Sequence, residues 1–225
     1  GRLYWTKVYE LPEGNRQSKG RALQNMINIQ KGDKVCAFIH VKNLSDMEYV
    51  QNHYLIFATK NGLMKKTTLE AYSRPRANGI IALGLREDDR LIRVTLTDGN
   101  SQMLVASYNG KVVRFPEDTV RPMGRTATGV RAIKLDEDGK DRVIGMICVE
   151  EGSKESVLVI SEKGFGKRTD LDDENGEPIY RITNRGGKGV KTMNLTDKTG
   201  NLIGLEAVTD EQDLMLITKS GTAIR

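Results

Sequence analysis

The sequence predicts an all-β protein arranged as a radial array of repeats, and three observations carry that prediction. First, one phrase recurs: an apolar run, two polar residues, a glycine, and a basic residue four positions on. It reads YLIFATKNGLMKK at Tyr54–Lys66, QMLVASYNGKVVR at Gln102–Arg114, SVLVISEKGFGKR at Ser156–Arg168 and DLMLITKSGTAIR at Asp213–Arg225. Its glycines, Gly62, Gly110, Gly164 and Gly221, lie 48, 54 and 57 residues apart. A period of that size in a strand-rich chain points to a propeller or a related array. Second, a glycine-led segment and a further apolar run follow each phrase. Third, the runs favour β-branched residues, and no long stretch has apolar residues at helical spacing.

Each repeat resolves into four elements. The apolar run is the first strand. Asn61-Gly62 and Asn109-Gly110 mark tight hairpins, read as two-residue turns with positive φ at both positions. The second strand carries the basic residue and opens into a long loop. The third, glycine-led strand is Lys19–Met26, Asn78–Leu85, Thr128–Leu135 or Lys188–Leu195. A polar turn then leads to the fourth strand: Val35–Val41, Leu91–Thr97, Val143–Val149 or Leu202–Val208. The chain opens with GRLYW, in the middle of the phrase, and closes inside a hairpin, as expected for a piece of a longer array. No Pro/Ser/Gly linker divides it, so residues 1–225 read as one domain of about four repeats with half-repeats at both ends.

The two cysteines, Cys36 and Cys148, fall in apolar runs and read as buried free thiols of a reducing compartment. No segment resembles a signal peptide or a membrane span. The histidines, His40 and His53, have no cysteine at metal-binding spacing. DLDDENGE at Asp170–Glu177 lacks the ligand alternation of a calcium loop and reads as a solvated turn. GFGK at Gly164–Lys167 and GGKG at Gly186–Gly189 complete no phosphate loop, because no Gly-Lys-Ser/Thr is present. No convergent acids or histidines recur at one repeat position. These patterns argue against an enzyme site and a metal site. Tyr4, Tyr9, Tyr54, Tyr72 and Tyr108 read as packing residues.

The net charge is only +5, but its distribution is periodic. The loop after the second strand is basic in each repeat: Arg16, Lys19 and Arg21; Arg74 and Arg76; Arg121 and Arg125; Arg181, Arg185 and Lys188. The turn between the third and fourth strands is acidic instead. It holds Asp33; Glu87, Asp88 and Asp89; Asp136, Glu137, Asp138 and Asp141; and Asp197. In a meander these two connections lie at opposite ends of the strands. A basic track beside an acidic one suits a curved path for a polyanion. The residue four after the turn glycine extends the basic track with Lys66, Arg114, Arg168 and Arg225, joined by Lys65 and Lys167. Lys7 stands in the first repeat, where Trp5 takes the usual basic position. Arg131 and Lys191, on the third strands, complete the candidate set. Guarding of exposed strand edges is the plainer alternative for any one of these residues. Arg90, Arg93 and Arg142 sit by acidic turns and read as local ion-pair partners.

Three phrases add a resemblance: GRLYWTKVYELPEGNRQSKGRALQNMI at the start, NGKVVRFPEDTVRPMGRTATGVRAI, and ITNRGGKGVKTMNL. Along essentially its whole length the chain resembles the C-terminal domain of the A subunit of DNA gyrase and that of its paralogue in topoisomerase IV. The resemblance implies a β-pinwheel, a propeller-like disc of four-stranded blades that exchange strands with their neighbours. It implies a non-catalytic role: binding duplex DNA and bending it around a basic rim, so that strand passage introduces negative supercoils. It also implies an A2B2 assembly with the B subunit of gyrase and with the N-terminal cleavage region of the A subunit itself, in the bacterial cytoplasm at the nucleoid. The isolated domain would be monomeric. ATP and Mg would belong to other parts of the holoenzyme, leaving this chain with no cofactor. The family's box, Q-R-R-G-G-K-G, has only a degenerate match here: Arg185, Gly186, Gly187, Lys188 and Gly189, without the leading Gln-Arg. The family domain commonly has six blades, so the box and further repeats are expected outside the chain. The A subunit of topoisomerase IV remains the alternative within the resemblance, and a protein-interaction propeller a remote one.

Overall fold

The computed structural model describes every residue except Lys31 and Asp138. In chain order the strands are β1 (Arg2–Leu3), β2 (Tyr54–Thr59), β3 (Leu63–Thr68), β4 (Ile80–Ile81) and β5 (Leu91–Thr97). They continue with β6 (Gln102–Ser107), β7 (Lys111–Pro116), β8 (Val130–Arg131), β9 (Val143–Val149) and β10 (Ser156–Ser161). The last are β11 (Gly166–Asp170), β12 (Val190–Lys191), β13 (Leu202–Val208), β14 (Leu216–Ile217) and β15 (Ala223–Ile224). One short helix, α1 (Met47–Asn52), precedes β2, with Asp46 accepting from the Tyr49 amide at 3.1 Å as its N-cap.

The sheets show why the repeat is not a meander. One blade has the order β5-β2-β3-β8 and the next has β9-β6-β7-β12. The first, second and fourth strands of a repeat thus stay together, while the third crosses to the preceding blade. β8 pairs with β3, and β12 pairs with β7. β4 likewise pairs with β1. The third blade, β13-β10-β11, has three strands. This is the strand exchange of a β-pinwheel. The fourth strands of successive blades touch one another, and Arg93 of β5 reaches Glu206 of β13 at 3.2 Å. They form the inner wall, and the exchanged third strands lie outermost.

Alternating residues of the central strands serve different core layers, because successive side chains of a strand point to opposite faces. Leu55 and Phe57 of β2 pack with Leu69, Tyr72 and Leu83, whereas Ile56 and Ala58 pack with Met103, Val105 and Phe115 of the next blade. Leu104 and Ala106 of β6 face Val157 and Val159 of the third blade. Strands buried on both faces need unbroken apolar runs, which is what the sequence carries.

The hairpin turns differ from the expectation. Among the described residues positive φ is confined to glycine. Gly62 has φ +83° and Gly110 +85°, and their amides bond Thr59 and Ser107 carbonyls at 3.1 and 3.0 Å. Each is a three-residue connection in which an i→i+3 turn is followed by one left-handed glycine. Asn61 and Asn109 answer to another need: their side-chain amides donate to Asp88 O at 3.5 Å and Asp136 Oδ2 at 3.1 Å, while their backbone amides donate to Asp89 and Asp141 at 2.9 and 3.0 Å.

The first repeat also departs from the pattern. Lys19–Met26 holds a 3₁₀ turn at Leu23–Asn25, and Val35–Val41 forms no strand. A strand exists only as part of a ladder, and no first strand of that repeat stands beside Val35–Val41. Cys36 is consequently exposed, not buried, and Cys148 on β9 is partly buried. Burial pushes the Cys148 thiol up to about 12.

Candidate nucleic-acid interface

The long loops run along the outer rim, each seated on the blade before it. The Met123 amide donates to Lys66 O at 2.8 Å, and the repeat-equivalent Thr183 amide donates to Arg114 O at 2.9 Å. Neighbouring rim segments are also joined: Gly84 N to Ala127 O at 3.2 Å, and Lys134 N to Gly187 O at 2.8 Å. The rim is therefore a continuous backbone-bonded band. The glycine that opens each third strand belongs to this seating. Gly189 has φ +75°, and a Cβ there would lie 2.5 Å from Val112 O. Close approach of one blade to the next, combined with left-handed backbone, restricts the position to glycine.

Most predicted basic residues of the later repeats lie on this band and are exposed, namely Arg74, Arg76, Arg121, Arg131, Arg181, Arg185, Lys188 and Lys191, and Arg16, Lys19 and Arg21 of the first repeat are exposed as well. Arg125 is half-buried. Lys7 is exposed too, with its ammonium 5.4 Å from the Tyr9 ring centroid. The box-like segment Arg185–Gly189 lines a surface hollow of about 440 Å³ with Arg181, Thr183 and Asn184. Arg185 is partly committed: its guanidinium donates to Thr119 O at 3.1 Å and Arg131 O at 3.3 Å.

Three predicted rim residues are not on the rim. Lys65, Lys66 and Arg114 are buried. Lys66 pairs with Glu117 of the next repeat at 2.8 Å, while Glu117 also accepts from Thr97 Oγ1 at 2.7 Å and Ser101 N at 3.2 Å. Arg114 donates to Gln102 Oε1 at 2.6 Å, Leu171 O at 3.1 Å and Asp172 at 3.4 Å. At Lys66 and Arg114 the basic residue four positions after the glycine is thus an inter-blade strut. Its recurrence has a structural cause, and a buried, partnered cation offers nothing to an outside phosphate. Sequence reasoning missed Glu117 and Asp172 as the partners. The available signal was an acid three or four residues beyond the equivalent base of the following repeat. Lys167 and Arg168, at the same positions on β11, are exposed; Arg168 reaches Asp210 at 2.5 Å.

The acidic turns lie at the opposite, hairpin end of the strands, as the charge pattern predicts. Part of their acidity is spent on turn geometry. Asp89 is buried and binds the Asn61 and Arg90 amides; Asp141 binds the Asn109 and Asp136 amides; Asp136 pairs with Lys111 at 2.5 Å. Asp138 lies outside the described residues. Among the described residues neither Arg93 nor Arg142 forms the expected ion pair with the acidic turn next to it: Arg93 pairs with Glu206 of the distant β13, and Arg142 stacks on Tyr108 at 3.7 Å.

Exchanged four-stranded blades with a basic outer band define a propeller-like domain of the pinwheel kind. The DNA gyrase C-terminal domain family, described as a beta-propeller, matches residues 1–42, 53–98, 102–150 and 155–209, and the chain belongs to it. The A subunit of DNA gyrase from Staphylococcus aureus (strain NCTC 8325 / PS 47) is 44% identical over 225 residues, which cover 100% of this chain and 24% of that protein. The chain thus spans about a quarter of the length of this curated relative. A crystal structure of the C-terminal domain of DNA topoisomerase IV superposes with a TM-score of 0.83 at 25% identity, over 100% of this chain and 66% of that one. A DNA gyrase A C-terminal domain gives 0.77 at 22% identity, over 100% and 68%.

Proposed function

We propose that this chain is the DNA-binding, non-catalytic part of the A subunit of a DNA gyrase, and that it bends duplex DNA around its rim to direct negative supercoiling. The observation that carries this reading is the rim itself: loops bonded end to end, each presenting exposed Arg or Lys. Such side chains contact phosphates without reading bases and release counterions. Bending a short site by 40–90° costs on the order of 1–6 kcal/mol, which several such contacts along one arc offset. In this reading the partners are duplex DNA, the N-terminal cleavage region of the A subunit itself and the B subunit of gyrase, in an A2B2 enzyme of the bacterial cytoplasm. Cleavage and ATP hydrolysis with Mg²⁺ belong to those other parts. The A subunit of topoisomerase IV is the second reading, favoured by the closer superposition on that enzyme's domain.

The test is a salt titration with end-labelled linear duplexes. Log affinity should fall against log salt with a slope of about −0.9 per phosphate contacted, with little dependence on sequence. Energy transfer between the duplex ends should rise on binding. A flat salt response, a tenfold preference for one short site, or unchanged end-to-end distance at saturation would overturn the reading.

A further inference from the structure

Lys65 of β3 is fully buried, and among the described residues no carboxylate pairs with it. Its ammonium lies 5.1 Å from the centroid of the Phe57 ring. It donates to two backbone carbonyls, Ala82 O and Arg125 O. The first belongs to the third segment of its own repeat, exchanged onto the preceding blade. The second belongs to the basic rim loop of the next repeat. One buried cation therefore fastens a rim loop to the joint beneath it.

The neighbouring joint does the same work without a cation. There the repeat-equivalent residue is Val113, also buried. The carbonyl equivalent to Ala82 O is Ala132 O, and it accepts from the Gly186 amide at 2.6 Å. In the fourth repeat Lys167 again reaches the equivalent carbonyl, Thr192 O, at 3.1 Å, but from an exposed site. Lys65 differs from the other buried cations, Lys66 and Arg114, in holding its rim loop through backbone carbonyls alone, with no carboxylate or side-chain acceptor among the described residues.

We propose that Lys65 is a positioning residue for the rim, and that DNA contact by the 121–128 loop is coupled to protonation of Lys65. This rests on the DNA-binding reading above. Burial, and then the nearby Arg125 charge, lower the Lys65 ammonium to about 8. A phosphate seated on Arg125 offsets that second cause, so binding raises the proton affinity of Lys65. Reciprocity requires that protonation of Lys65 raise the affinity for DNA. The sign follows: the charged, loop-holding form prevails below pH 8 and is lost above it, so affinity falls as pH rises through about 8.

The other groups facing this site are Arg125, Tyr72 and the Gly1 amino group. Arg125 is the neighbour whose guanidinium charge a seated phosphate would meet. The Tyr72 phenol, which donates to Ala82 O at 2.9 Å, is pushed up to about 12 by burial. The Gly1 amino group, bonded to Leu83 O at 3.0 Å, is lowered by burial while Asp33 raises it, so it is acetylated in the test.

The experiment measures binding of a linear duplex at fixed ionic strength from about pH 6.5 to 9.5, a window bracketing the Lys65 transition. Calorimetry in buffers of different ionisation enthalpy counts protons. The acetylated parent chain should take up a fraction of a proton near pH 8 and lose about three- to tenfold in affinity across the range. Lys65→Met should bind more weakly at neutral pH, with a flat profile and no proton uptake. Lys65→Arg should keep the affinity and also lose the profile, so either variant suffices if the other misfolds. Binding by the parent chain with no proton uptake and no pH dependence would overturn the coupling and leave the DNA reading intact. Uptake that persists in a folded variant would do the same. Absence of binding at every pH would overturn the DNA reading together with the coupling.

Discussion

The two joints between successive blades solve one problem with different chemistry. At the first, Lys66 and Glu117 are sealed together, with side-chain exposures of 5% and 0%, and Lys65 lies buried alongside. At the second, Arg114 is equally buried at 6%, but its partner Asp172 is 45% exposed and 3.4 Å away. Val113 replaces the second cation there. The first joint is thus a closed electrostatic lock, and the second an arginine held mainly by neutral acceptors. A buried ion pair contributes little net stability relative to an apolar substitute, yet removing one partner is costly. The same repeat position can therefore be structurally fixed at one joint and tolerant at the next.

The largest effect expected from this contrast is at Glu117. Glu117→Ala leaves Lys66 buried without a counter-ion and strips the Thr97 hydroxyl and Ser101 amide of their acceptor. It should destabilise the chain by about 3–5 kcal/mol in denaturant unfolding. The double variant Lys66→Met, Glu117→Leu should recover the part of that loss due to the unpaired ammonium, since an apolar pair of similar volume removes both charges, but not the part due to the Thr97 and Ser101 donors. A mild single variant, or a double variant no better than the single, would break the picture of a closed lock.

A smaller effect, on binding rather than folding, separates the rim from the struts. Replacing Arg121 and Arg125 together by Glu should weaken duplex binding by at least about tenfold at low salt, with thermal stability nearly unchanged, because two phosphate contacts become repulsions. Asp136→Asn, at the opposite end of the strands, should leave affinity unchanged while loosening the turn that Lys111 and Asn109 share with it. Equal effects of the two on affinity would remove the distinction between a basic rim and an acidic turn end.

How far the sequence foretold these differences depends on what each residue answers to. The first strand, the hairpin glycine and the fourth strand are local in origin, and Leu91–Thr97, Val143–Val149 and Leu202–Val208 form strands with those same bounds. The exchange of third strands is not local: Val130–Arg131 shows no sign in its own composition that it pairs with β3 and not with a strand of its own repeat. The exposed rim residues were legible because a solvated loop needs only its own charge. Lys65, Lys66 and Arg114 were misread because burial depends on a neighbour some 50 residues away in the chain, where Glu117 or Asp172 waits. The first repeat carries a repeat sequence whose only regular strand is the short β1, among the described residues, since a strand needs a facing partner and Val35–Val41 pairs with none.

The smallest expected effect is at the open end of the second joint. Asp172→Asn removes a charge from an exposed carboxylate at 3.4 Å, a geometry close to the limit for a hydrogen bond. Arg114 retains Gln102 Oε1 and Leu171 O as acceptors, both of them neutral and both closer than Asp172. Exposed ion pairs are screened and contribute about 0–1 kcal/mol, so the change in unfolding free energy should stay within about that range and shrink further with added salt. Gln102→Ala at the same joint should cost more than Asp172→Asn, because it deprives a buried guanidinium of its shortest contact. If Asp172→Asn instead matched the loss from Glu117→Ala, Arg114 would depend on its carboxylate as Lys66 does, and the two joints would be one device after all.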